Sequence, residues 1–135
     1  MKNVFIIVFI LLIMQPIFAT SYKQVSEYKY IDLDSIKQSD MSGYYLPDEY
    51  LYLTLHINDN SKFFKNLETH INTRISQILE NKVIDCKDKK VMIGTISVFN
   101  EANKKILEFI YSPYSLNRFQ YIGKDTLDEY NEVCK

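Results

Sequence analysis

The chain has no tryptophan, three glycines, three prolines, two cysteines and two histidines among its 135 residues. Each shortage excludes something. Three glycines leave no phosphate-cradling glycine loop. His56 and His70 are the only histidines; neither sits in an H-E-x-x-H motif, and no G-x-S-x-G elbow occurs. Neither Cys86 nor Cys134 has a second Cys or a His at metal-ligand spacing. The sequence therefore offers no catalytic residue, no metal site and no cofactor motif, and the expectation is a protein that is not an enzyme. Charge of one sign is scarce as well. Sixteen basic residues face 17 acidic ones without a long run of either, so there is no nucleic-acid footprint.

What the chain does have begins at its start. Met1-Lys2-Asn3 precedes an unbroken apolar run, Val4 to Met14, and Gln15-Pro16-Ile17-Phe18-Ala19 follows. A short positive segment, an apolar segment and a terminal small residue are the parts of a secretory signal peptide. As a helix the run would span about 16 Å, against the roughly 30 Å of a bilayer core, so a stable membrane anchor is not expected after cleavage. Cleavage after Ala19 is the expectation, leaving residues 20–135 as a single exported domain, in the periplasm or at the cell surface. No cysteine adjoins that point, which argues against a lipid-anchored form.

Export changes how the two cysteines read. In an oxidising compartment two cysteines most simply form one bridge, Cys86–Cys134, worth on the order of 4 kcal/mol in the chain-entropy account. Cys86 lies in the stretch from Lys82 to Phe99, which reads as two strands around a charged turn, Lys87-Asp88-Lys89-Lys90. Val91 to Phe99 is apolar on both faces, the mark of an interior strand.

Elsewhere the pattern alternates between periods of two and of three to four. Tyr28, Tyr30 and Asp32 alternate with Lys29, Ile31 and Leu33 as a strand does. Asp34, heading Asp34-Ser35-Ile36-Lys37, is placed to cap a single helical turn. From Ser61 to about Gln77, Phe64, Leu67, Ile71, Ile75 and Ile78 recur at helical spacing. Residues 78–81 read equally as the end of that helix or as the start of the strand toward Cys86. Lys105–Tyr111 and Arg118–Ile122 are further strands. Thr126 with Glu129 forms a capping box that opens a short helix, with Leu127, Tyr130 and Cys134 along one face. The expected fold is α+β. About five or six mainly antiparallel strands carry one amphipathic helix in the middle, and a C-terminal helix is tied to the sheet by the disulfide.

Three segments then suggest a family. Tyr30-Ile-Asp-Leu-Asp-Ser-Ile-Lys37, Ile84-Asp-Cys-Lys-Asp-Lys-Lys90 and Leu127-x-x-Tyr-x-x-Val-Cys134 occur in that order. Together they resemble the bacterial surface-adhesin protein E family of small exported proteins. The resemblance implies a largely antiparallel sheet with helical cover and a disulfide-bridged tail. It also implies adhesion to host matrix or plasma proteins.

The cleanest strand is Tyr50 to Ile57. Burying Leu51, Leu53, Leu55 and Ile57 at roughly 1.5–3 kcal/mol each would turn Tyr50, Tyr52, Thr54 and His56 outward, or beneath a loop holding Tyr44 and Tyr45. The competing arrangement puts that same stripe under the helix. Seven of the eleven tyrosines fall between Tyr22 and Tyr52, and tyrosine is both an interface residue and a good strand former. The candidate protein-binding residues are accordingly Tyr44, Tyr45, Tyr50, Tyr52 and His56. The expected function is that of an exported binding protein, adhesin-like, with a host matrix or envelope protein as partner. The alternatives are a periplasmic inhibitor of the immunity type and, less favoured, a small hydrolase.

Overall fold

A computed structural model describes residues 21–39, 48–111 and 119–135. The chain runs β1 (Tyr22–Ser26), β2 (Lys29–Gln38), β3 (Glu49–Ile57), α1 (Lys62–Ile71), β4 (Ile75–Asp85), β5 (Lys90–Asn100), β6 (Lys105–Ile110), β7 (Gln120–Tyr121) and α2 (Lys124–Val133). Strands β1 to β6 lie side by side in sequence order, each antiparallel to the next. Two-residue β7 pairs with the start of β5, Lys90 opposite Tyr121. The α+β expectation holds, with residues 78–81 in β4 and a Cys86–Cys134 disulfide joining the end of α2 to the β4–β5 turn. Among the described residues no helix is long and apolar enough to cross a membrane.

Both helices pack on one face of the sheet. Helix α1 brings Phe64, with Leu67 and Ile71, onto Ile75, Ile78 and Val98. Helix α2 brings Val133 and Tyr130 onto Ile31, Tyr52 and Ile84. At about 25 cal/mol per Å² of apolar area, these two clusters supply the main drive for docking the helices. The tail is held further by the disulfide and by Tyr130, whose hydroxyl donates to the Cys86 carbonyl at 3.2 Å.

Three local expectations are corrected. Helix α1 stops at Ile71, not near Gln77, because Asn72 takes the left-handed conformation (φ 53°, ψ 41°) that asparagine tolerates. Ile75 and Ile78 belong to β4 yet still reach the α1 cluster, so the helical spacing carried across a helix-to-strand turn. Glu68 fastens that turn, its Oε1 accepting from Asn58 Nδ2 at 2.8 Å and from the Ile75 amide at 3.2 Å.

No helical turn forms at Asp34–Lys37. Strand β2 continues, but its register jumps from Asp32 opposite Leu53 to Lys37 opposite Leu51. Residues 33–36 bulge out against Tyr52 alone. Ser35 stabilises the bulge, its Oγ donating to the Asp32 carbonyl at 2.6 Å and accepting from the Leu53 amide at 2.8 Å. It is Asp32, not Asp34, whose carboxylate accepts a local backbone amide, that of Asp34 at 3.0 Å.

Helix α2 begins a turn earlier than the Thr126 capping box implied. Gly123 is the N-cap, and its amide donates to Thr126 Oγ1 at 3.0 Å. Thr126 thus makes the backward bond expected of Glu129. Glu129 is released to the interior, where it is fully buried, while Leu127 is 48% exposed.

Candidate functional site

The pairing register decides which side chains share a face. On β3, Tyr50, Tyr52, Thr54 and His56 oppose Ile84, Lys82, Glu80 and Ile78 of β4, and these lie on the helix-covered face. The expected outward orientation is overturned. Tyr52 and Thr54 are fully buried. Tyr50 is half-buried against the α2 cluster, and the His56 ring meets Phe64 of α1 edge-on at 5.1 Å. The face that carries Tyr52 and Thr54 wins the covered position because both buried hydroxyls have a partner there. A buried polar group without one would be costly.

Those partners form a polar seam between the two apolar clusters. Tyr52 Oη donates to Glu129 Oε2 at 2.7 Å. Lys82 Nζ donates to both Glu129 oxygens, at 3.0 and 3.1 Å, and stands 3.0 Å from Glu80 Oε2. Lys29 Nζ is 3.1 Å from Glu129 Oε1 and donates to the Asp125 carbonyl at 3.1 Å. Thr54 Oγ1 reaches Glu80 Oε2 at 3.3 Å. Two ammonium groups and two carboxylates balance. Burial pushes the Glu129 carboxyl up, but Lys82, Lys29 and the bonds from Tyr52 and Lys82 outweigh it and hold it below the ordinary range. Burial likewise opposes charge on Lys82, and Glu80 with Glu129 reverses this to raise its pKa. Burial first, then Glu129 and Glu80, push the Tyr52 phenol far up, so it stays a neutral donor. The seam locks α2 onto the sheet. Sequence reading missed it, since Glu129 had a sufficient role as a cap, and only the upstream Gly123 hinted otherwise.

The opposite face carries Leu51, Leu53, Leu55 and Ile57, the side chains expected in the core. Val83 and Met92 at its Glu49 end are buried. Leu51, Leu53, Leu55 and Ile57 are only half-buried, and no helix among the described residues lies over them. The register extends this face outward to Tyr30, opposite Leu55, and to Tyr22, opposite Asp32 and 43% exposed. On the other side it reaches Ile110, opposite Thr95 and 76% exposed. Tyr121, opposite Lys90, is 77% exposed, with the Lys90 ammonium 5.0 Å from its ring centre. Beside the β2 bulge the face dips into a cleft of about 250 Å³, lined by Asp34, Ser35, Lys37, Leu51, Leu53 and Asn81 with Tyr52.

Of the five candidate binding residues, the three within the described residues, Tyr50, Tyr52 and His56, share the helix-covered face. Tyr44 and Tyr45 lie outside the described residues, Tyr52 is core, and Tyr50 and His56 face the helices. Tyr22 and Tyr30 take their place on the open face, a placement that only the strand register reveals. Among the described residues no group of three or more His, Cys, Asp or Glu is set to hold a metal ion.

No protein-family model and no curated protein sequence matches the chain. Among solved structures it is similar to protein E of Haemophilus influenzae. The TM-score is 0.52 at 12% identity, over 85% of this chain and 84% of that one. The fold is protein E-like. At so low an identity the likeness extends to the path of the chain alone.

Proposed function

We propose that this is an exported, non-enzymatic protein that recognises another protein through the open face of its sheet. The observation that carries the reading is the asymmetry of that sheet. One face is sealed by two helices and a fully partnered polar seam. The other leaves the β3 leucines half-buried and sets Tyr22 and Ile110, both exposed, around them. Contiguous apolar surface rimmed by tyrosine and charge is the usual composition of a recognition surface. The disulfide suits an oxidising compartment, and the resemblance to the surface-adhesin protein E family favours an adhesin-like role.

A cleaved leader at residues 1–19 belongs to this reading. Mass spectrometry of exported protein would then give an N-terminus at or next to Thr20. Met1 retained in a membrane fraction would replace the leader by an anchor.

The function itself is tested by affinity capture on immobilised residues 20–135, with purified host matrix proteins offered beside an envelope extract of the producing cell. Capture of a matrix protein supports the adhesin-like reading. Capture of an envelope enzyme or toxin, with its activity blocked, makes the protein an inhibitor. Turnover of a substrate would defeat the non-enzymatic reading.

A further inference from the structure

The cleft beside the β2 bulge differs in chemistry from the rest of the open face. Leu51 and Leu53 give it apolar lining, and three polar side chains of different kinds also line it: a carboxylate (Asp34), an ammonium (Lys37) and a carboxamide (Asn81). Within the described residues no ion pair or side-chain hydrogen bond is formed by any of the three. The contrast with the covered seam is sharp, since every charged group there is matched at 3.0–3.1 Å. The bulge produces this arrangement. Four residues set against one move Asp34 out of the ladder, and Lys37 re-enters it opposite Leu51 on the open face.

We infer that this cleft receives an extended peptide segment of the partner protein, one carrying a basic and an acidic side chain about two residues apart. The inference rests on the protein-binding reading above and specifies its chemistry. The basic group would meet Asp34 and the acidic group Lys37. A peptide unit would pair with Asn81, whose carboxamide offers one acceptor and two donors side by side, as a backbone C=O and N–H require. Size agrees with this. At about 30 Å³ per water the cleft holds roughly eight waters, space for a short piece of chain. Spacing agrees too. Asp34 and Lys37 are three residues apart, up to about 10 Å in extended chain. A di- or tripeptide unit carrying both charges can bridge a span of that size.

The test uses residues 20–135, isotopically labelled, titrated with blocked tripeptides Lys-Ala-Glu and Glu-Ala-Lys, and with Ala-Ala-Ala as the neutral control. The inference predicts saturable shifts of the Asn81 side-chain amide and of the Leu51 and Leu53 backbone amides with at least one charged peptide, and none with the neutral one. Asp34→Asn combined with Lys37→Gln, both at exposed positions, should weaken that binding about tenfold with the melting temperature unchanged. Equal binding of the neutral peptide, or charged peptides that shift no cleft resonance, would overturn the inference. A partner still captured by the Asp34→Asn/Lys37→Gln protein at full affinity, and lost on Leu55→Lys, would remove the cleft while leaving the open face as the binding surface.

Discussion

The phenol of Tyr52 donates a 2.7 Å hydrogen bond to Glu129 Oε2, joining the middle of β3 to the middle of α2 across 77 positions of sequence. Both residues are fully buried, and Lys82 and Lys29 complete the shell around the carboxylate. This contact fixes which face of the sheet α2 closes; the opposite face has no helix over it among the described residues.

Removing either member of the Glu129–Lys82 pair leaves the other charged and buried. Glu129→Ala or Lys82→Ala should each cost about 3–5 kcal/mol in urea unfolding. The doubly substituted Glu129→Leu/Lys82→Met protein should lose much less than the sum of the two. Additive losses would mean that the two groups do not interact in solution.

The seam also sets an acid limit. The Glu129 carboxyl has a lowered pKa in the fold, so its stabilisation is present above the unfolded value and is lost as pH falls through the folded one. Glu49 has the opposite sign. Burial, and then the charge of Asp85 opposite it, raise its carboxyl, so its stabilisation is present at acid pH and lost as pH rises through the folded value. Glu49→Gln should therefore be more stable than the parent at pH 7 and indistinguishable from it near pH 3. Denaturant midpoints measured across that range check both signs.

How far the sequence carried these conclusions depends on the kind of residue. Period-two alternation places β3 and β6, a run apolar on both faces places β5, and the single available cysteine pairing places the staple. Ile75 and Ile78 were misassigned to the helix because a strand that begins on the helix's own core keeps the helix's spacing. The two faces of β3 were exchanged for a different reason. Leucines outrank tyrosine and threonine by hydrophobicity, and nothing local to residues 50–57 announces that Glu129 and Glu80 await those hydroxyls. Long-range polar partners decided the packing, and they leave no periodic trace.

The Cys86–Cys134 bridge closes a segment with a sequence separation of 48 and holds the end of α2 against the sheet. Cys86→Ser/Cys134→Ser should lower stability by about 4 kcal/mol. Neither thiol of the native parent should label with iodoacetamide until reductant is added. Prompt labelling of both without reductant would show that the bridge is not formed.

The open face of the sheet is the proposed recognition surface. Its most direct test is the affinity of the captured partner for three single variants, each first shown to keep the parent melting temperature. Leu55→Lys and Ile110→Lys place a charge on the open face, and Leu127→Lys places one on the exposed side of α2. Affinity should fall at least tenfold in the first two and stay unchanged in the third. Full affinity in Leu55→Lys and Ile110→Lys, with binding lost in Leu127→Lys, would contradict this and move the surface to the helical side.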